Sequence, residues 1–295
     1  MENSELLLLS HPTYVQLLGK EQTIKILSLF KDIENGKYRK DEITQWQLKG
    51  IQHPVYMRSI RADMQSFVNT FIDPYLTKKE YLDQASVVID AGGNIGYTAL
   101  LYANWWPNAK IYSLEPDHDN YLMTCKNTVA YKGVTVIEAG LWNKEVDLKI
   151  EAGQEDGFVV HEIHAAEKVS EMNLTKGVSL PSLMNTYGFK HIDFLKMNIE
   201  GSEKEVFSEH SDAWLPVTTA MLIELHDGKN PGCSKAVFEA VNRYPFAVAE
   251  TAGYGVLFAR EDIYRKWYAN WYKQNIYQPN INKDRFPDLY LDKLI

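Results

Sequence analysis

The chain has 295 residues, 45% of them hydrophobic, enough for one large domain with extensions or two modest ones. Lys and Arg total 31 against 39 Asp and Glu, a net charge of −8 spread along the sequence, which argues against a nucleic-acid backbone as the main partner. Two cysteines, Cys125 and Cys233, without a CxxC pair exclude a disulfide framework and fit a reducing cytoplasm, where both read as small buried residues.

The chain starts Met1-Glu2-Asn3-Ser4-Glu5 before Leu6 to Leu9, a poor match to a secretory signal, and no apolar run reaches the roughly 20 residues of a membrane span. Residues 5–50 read as helical: Val15, Leu17, Leu18, Ile24, Ile26, Leu27 and Phe30 recur at helix spacing, Asn35-Gly36 breaks the pattern, and a second polar helix or loop runs to Gly50. Val55 to Arg58 and Met64 to Phe67 read as strands; Asp73-Pro74 marks a turn and Tyr75 to Tyr81 a short helix.

Strand and helix then alternate. Ser86 to Asp90 is a β-branched strand that ends in a glycine-rich turn, followed by a helix from Ile95 to Trp105. Lys110 to Glu115 is a second strand, followed by a helix to about Ala130, and Val134 to Glu138 is a third strand. Residues 141–180 read as strands and loops. Ile192 to Met197 and Ala220 to Leu225 are further strands, separated by a helix around Glu203 to Phe207. Phe246 to Ala249, a turn at Gly253 and Gly255 to Ala259 form an antiparallel hairpin. This order predicts an α/β fold with a mostly parallel sheet covered on both faces. The expected organisation is an N-terminal helical extension (1–50), lead-in strands and helix (51–84), a ligand-binding domain (85–262) and an aromatic tail (263–295) bearing Trp267, Trp271, Tyr277, Phe286 and Tyr290. Tail and N-terminal helices are placed to pack on the sheet, to cover a pocket or to form a homodimer contact.

In open α/β sheets ligands sit beyond the carboxyl ends of the strands, where a glycine turn lets backbone approach them closely. Asp90-Ala91-Gly92-Gly93-Asn94-Ile95-Gly96 is such a turn, and Glu115 ends the next strand, where a carboxylate can accept hydrogen bonds from both hydroxyls of a ribose. The glycines at 92, 93 and 96 break the Gly-x-Gly-x-x-Gly spacing of dinucleotide sites. Asp90 would repel a pyrophosphate but suits a sulfonium ligand with an ammonium group, so S-adenosyl-L-methionine is the expected cofactor. Asp90, Gly92, Gly93, Asn94, Gly96, Glu115, Pro116 and Gly140 are its expected contacts.

These motifs resemble the FkbM-type methyltransferases, which share an Asp-x-Gly-Ala-Asn-Ile-Gly turn, a Glu-Pro pair and a Lys-Ile-Asp-Val-Glu-Gly-x-Glu segment. Here they stand as residues 90–96, Glu115-Pro116 with Asn127 downstream, and Lys196-Met197-Asn198-Ile199-Glu200-Gly201-Ser202-Glu203. Leu180 to Leu183, Ile223-Glu224-Leu225-His226, and Arg58 with Asp63 upstream are further echoes, so the resemblance covers about residues 55–260. It implies a class I methyltransferase fold (Rossmann-like, with the antiparallel finish) and usually O-methylation of a hydroxyl on a sugar or small natural product, yielding S-adenosyl-L-homocysteine. N- or carboxyl-methylation and a non-catalytic binding module are the alternatives. Gly93 replaces the family's alanine and Asn198 its aspartate, and an asparagine cannot take a proton.

Transfer to a hydroxyl benefits from a base. Candidates at the strand ends are Asn198, Glu200, Glu224, His226 and Asp227. His226, which titrates near neutrality, is the preferred base, and otherwise a satisfied polar residue or a substrate hydrogen bonder. Glu200 reads equally as a helix-start cap or a catalytic carboxylate. Lys196 and Glu224, inside apolar strands, read as a cross-strand ion pair rather than a catalytic lysine. No metal is predicted: His161 and His164 read as solvated loop residues, and Asn198, Glu224 and Asp227 as a magnesium set only by coincidence of folding.

Overall fold

The computed structural model of the protein describes residues 11–37, 39–72, 82–152, 158–163, 170, 173–252 and 255–275. Leu6 to Leu9, the Asp73-Pro74 turn, the helix expected at Tyr75 to Tyr81, His164, the Gly253 turn, Tyr277, Phe286 and Tyr290 lie outside the described residues.

Helix α1 (Pro12–Glu34) buries Leu18, Ile26 and Phe30 of the expected stripe together with Ile33, whereas Val15, Leu17 and Leu27 are half-buried and Ile24 is exposed. The segment after it is a strand, not a second helix: β1 (Arg39–Trp46) pairs antiparallel with β2 (Val55–Ser59). Its polar sequence conceals the strand because ladder pairing, rather than burial on both faces, holds it. Met64 to Phe67, expected as a strand, belongs to helix α2 (Arg61–Phe67), which buries Asp63, Met64 and Phe67 on one face. Four residues are too short a window to separate the two periods.

The central domain then runs β3 (Val87–Ala91), α3 (Tyr97–Trp105), β4 (Lys110–Leu114), α4 (His118–Thr128), β5 (Val134–Ile137) and β6 (Ala139–Trp142). It continues through β7 (Val146–Ala152), β8 (Phe158–Glu162), β9 (Leu174–Ser179), α5 (Leu180–Tyr187), β10 (Ile192–Met197) and α6 (Glu203–Ser208). It ends with β11 (Thr218–Glu224), α7 (Cys233–Val241), β12 (Phe246–Ala252), β13 (Gly255–Arg260) and α8 (Glu261–Asn275). The main sheet has the order β12-β13-β11-β10-β3-β4-β5. β11, β10, β3, β4 and β5 are parallel neighbours, and β13 is antiparallel to β11 and β12. This is the mostly parallel sheet with an antiparallel finish that the strand pattern predicts. A second sheet, β6-β9-β7-β8, stands beside it, built from the stretch that reads as strands and loops.

Alternation along the strands makes two cores. Phe194 and Leu222 join Tyr97, Tyr102 and Phe67 on one face, whereas Leu195 and Ile223 join Val206, Trp214 and Val237 on the other. Each such side chain stabilises the fold by roughly 1.5–3 kcal/mol on burial. Order reversal at β3, where one crossover leads to β4 and a later one to β10, opens a crevice at the carboxyl ends of these strands.

β2 is fastened over that crevice by polar contacts. Asn127 of α4 accepts from Tyr56 N and donates to Tyr56 O, and the Tyr97 hydroxyl donates to Tyr56 O. Arg58, 6% exposed, donates through Nε and Nη2 to Asp63, at 3.0 and 2.7 Å. Burial alone would lower its pKa, but the Asp63 carboxylate, helped by Asp117 and Asp119, holds it above the usual value. Removing one partner of a buried pair leaves an uncompensated charge. Asp63→Ala is therefore expected to cost about 3–5 kcal/mol in urea unfolding, and a wild-type midpoint would show the pair to be dispensable.

Candidate functional site

The crevice holds a cavity of about 720 Å³. Its floor is the turn after β3. Gly92 has φ +78°, and a Cβ there would lie 1.8 Å from the Asn198 carbonyl oxygen, so only glycine lets the turn rest against the end of β10. Gly96, with φ +86°, brings the start of α3 against α4, where a Cβ would meet Thr124 Cα at 2.9 Å. Of the turn, Gly92 and Asn94 line the cavity; Gly93 faces Ser113 and Leu114 of β4 instead.

Asp90 does not face the cavity, contrary to the expectation of an ammonium partner. It is fully buried, accepts from Ser113 Oγ at 2.9 Å, and stands 3.2 Å from Lys196 Nζ. Lys196 also donates to the Gly92 carbonyl at 2.6 Å. The expected Lys196–Glu224 pair is replaced by this one because register sets Lys196 beside Asp90 and Leu222, with Glu224 two residues further along β11. The pair therefore acts from behind the turn.

Glu115, at the end of β4, lines the cavity with Pro116 and Asp117. Its carboxylate accepts from Asn94 N at 2.7 Å and Asp117 N at 3.0 Å. Burial pushes its pKa up to about 8, against the two backbone donors that favour the charged form. Gly140 of β6 lies on the same wall, as do Phe158 and Val160 of β8. The last two escape a linear reading, because only the pairing of β7 with β8 and β9 brings them there. Arg58, Ile60, Arg61 and Ala62 form the cover, and Asp119 and Asn120 the first turn of α4. Asp117 was readable as the cap of that helix: its side chain accepts from Asn120 N.

Asn198, Ile199, Glu200 and Ser202 make the remaining wall. Asn198 Oδ1 and Ser202 Oγ are buried without a hydrogen-bond partner among the described residues. Glu200 does not start a helix: with φ +59° it lies in a left-handed turn, and α6 begins at Glu203. Fully buried Glu203 does the capping, accepting from Ile199 N and Gly201 N. A non-glycine residue at positive φ costs about 1 kcal/mol or more and persists where surrounding bonds demand it.

Behind Glu200 lie His226 and Glu224. His226 Nδ1 is 2.8 Å from Glu203 Oε1, and Nε2 is 3.8 Å from Glu200 and 3.7 Å from Glu224. Lys229 Nζ donates to the Glu200 carboxylate. Burial would lower the His226 pKa, but the three carboxylates overcome it and hold it above the usual value. Glu224 is raised by burial, with His226 opposing. Asp227 turns away from this group and accepts from Gly232 N and Ser234 N. His161 of β8 stands 3.8 Å from Glu151 on an exposed surface. Among the described residues no group of three or more His, Cys, Asp or Glu is arranged to hold a metal ion, and no helix is long and apolar enough to cross a membrane.

A family model described as the methyltransferase FkbM domain matches residues 90–250, more than half of the chain. No curated protein matches. Among solved structures, the precorrin-6y C5,15-methyltransferase from Geobacter metallireducens GS-15 is 13% identical, with 64% of this chain and 84% of that one covered and a TM-score of 0.37. An rRNA methylase from Streptococcus thermophilus is 14% identical, covering 65% and 95%, with a TM-score of 0.36. A methyltransferase from Geobacter sulfurreducens is 14% identical, covering 67% and 85%, also at 0.36. Likeness at these scores says nothing about substrate.

The buried position of Lys196 makes a structural role testable. Lys196→Met should lower stability by about 3–5 kcal/mol by stranding Asp90, and adding Asp90→Asn should restore most of it. A double variant no more stable than the single one would refute the pairing.

Proposed function

The chain belongs to the FkbM methyltransferase family, and from that premise we propose that it moves the methyl group of S-adenosyl-L-methionine to a hydroxyl of a sugar or small natural product, leaving S-adenosyl-L-homocysteine. One observation carries this reading: a single cavity is walled by the Gly92 turn and Glu115 on one side and by Glu200 and Asn198 on the other. The residues fit the cofactor. Glu115 presents a buried carboxylate to the cavity for ribose hydroxyls, and acidic Asp117 and Asp119 complement a cationic ligand. When bound, the cofactor supplies a methyl group activated by its positive sulfur.

The chain's own groups do the rest. Gly92 and Asn94 let backbone close on the ligand, while Phe158 and Val160 exclude water from one wall. The Asn198 amide, on the cavity wall, orients the acceptor hydroxyl by donating to its oxygen through Nδ2. Glu200 takes the hydroxyl proton. Lys229 and His226 position Glu200, and Glu203 fixes His226 in turn. A histidine whose protonated form is favoured by three carboxylates is a poor base, so the base role passes from His226 to Glu200.

Incubation with S-adenosylmethionine and a panel of sugars and hydroxylated natural products should release S-adenosylhomocysteine with at least one acceptor. Glu200→Gln should lower kcat about 10²–10⁴-fold while cofactor affinity, by calorimetry, stays within about twofold. Binding of NAD but not of S-adenosylmethionine would sink the proposal.

Glu115 adds a pH dependence. Its carboxyl, at about 8, holds a proton at neutral pH in the free protein, whereas two donating ribose hydroxyls favour the ionised form. Binding then expels the proton, so S-adenosylhomocysteine affinity should climb by up to about tenfold per pH unit towards pH 8 and level off above it. Glu115→Gln should flatten the profile; an unchanged slope in that variant would assign the dependence elsewhere.

A further inference from the structure

The acidic and basic side chains lining the cavity are four acids, Glu115, Asp117, Asp119 and Glu200, the first of them neutral in the free protein, and two cations, Arg58 and Arg61. Such a lining suits the sulfonium and ammonium groups of the cofactor but repels the carboxylate at its amino-acid end. That carboxylate needs dedicated donors.

Arg61 is exposed and has no partner among the described residues, so nothing fixes its geometry. Arg58 differs: its side chain is 8% exposed, and Asp63 engages Nε and Nη2 from one edge. Nη2 also donates to Asn120 Oδ1 at 2.6 Å. Nη1 has no partner among the described residues, yet it is not among the sealed, unsatisfied atoms. A guanidinium only donates, so the bond from Nη2 fixes the Asn120 amide with its oxygen towards Arg58. Asn120 Nδ2 is thereby left with no partner among the described residues, and it too is unsealed. Both side chains line the cavity. The bond ties together two cavity-lining groups that each keep a free N–H donor, held by an ion pair beneath and by the Asp117–Asn120 cap, which anchors the start of α4.

We propose that Arg58 Nη1 and Asn120 Nδ2 form a carboxylate subsite that holds the amino-acid end of the cofactor. This rests on the proposed use of S-adenosylmethionine. Two donors spaced by a hydrogen-bonded guanidinium–amide pair match the two oxygens of a carboxylate, and the acids Asp117 and Asp119 nearby give the adjacent ammonium its counter-charge. The N-terminal segment is then part of the binding site rather than a mere cover, because it supplies the cavity's one immobilised cation among the described residues.

Calorimetric titration of the whole chain with S-adenosylhomocysteine and its decarboxylated analogue, S-adenosyl-3-thiopropylamine, separates the readings. The wild type should bind the analogue about tenfold or more weakly, the worth of a hydrogen bond to a charged group. Asn120→Ala, on a half-buried helical position, should weaken S-adenosylhomocysteine about tenfold and leave the analogue unchanged. Arg58→Lys should do the same, with thermal melting run alongside to confirm folding. Equal wild-type affinity for the two ligands overturns the subsite and leaves the cofactor reading intact, as when the pair serves an acidic acceptor instead. Equal loss for both ligands in Asn120→Ala also overturns it, pointing to a structural role. If the wild type binds neither ligand, the cofactor reading falls and the subsite with it.

Discussion

The site depends on the contact between the turn after β3 and the end of β10. Gly92 sits against the Asn198 carbonyl so closely that no side chain fits, and Asn198 N donates to Ala91 O at 3.0 Å. Lys196 bridges the same two segments from beneath, donating to the Gly92 carbonyl while standing beside Asp90. A buried ion pair is weak evidence for net stability, since the desolvation of both charges offsets most of their attraction. Its value here is positional. Apolar residues of similar volume would fill the space, but they would not tie the turn's carbonyl to the neighbouring strand.

Beyond that contact, Glu203 organises the acceptor side. Its carboxylate takes two backbone N–H groups from the Ile199–Gly201 turn and the imidazole of His226. Glu200 is therefore held at positive φ by a residue three positions later, and its side chain is directed by Lys229 and His226. The same buried acid thus sets the backbone of the proposed base and the histidine behind it. Geometry at Glu200 is over-determined, which is what proton transfer over a short distance requires.

The central strands were legible because β-branched runs ending in glycine or acidic residues have few other interpretations. Glu115, Gly92 and Asn94 could be placed for the same reason, since each stands at or just beyond a strand end. Asp90 shows where linear reading fails. Alternation sends its side chain beneath the turn, towards Ser113 and Lys196, and only the register of three strands decides that. Strand β1 and helix α2 were illegible for a different reason: their identity comes from pairing and from one buried face, not from local propensity. Arg58 and Asp63 stood out as motif residues without a role. The donor role proposed for Arg58, braced by Asp63, emerges only when β2 is laid against α4, 62 residues on from Arg58 at Asn120.

Charge sets the consequence of the departure at Asn198. The wall behind it carries Glu200, Glu203 and Glu224, against Lys229 and His226. An aspartate at 198 would add another carboxylate beside a group whose acids already outnumber its cations, and Glu224 is already pushed towards its neutral form by burial and by Glu200 and Glu203. Each further negative charge makes it harder for the others to stay ionised. Asparagine keeps the acceptor oxygen and the shape while removing that charge. In the proposed reaction the proton goes to Glu200, the lining carboxylate that is paired with Lys229 and faced by His226.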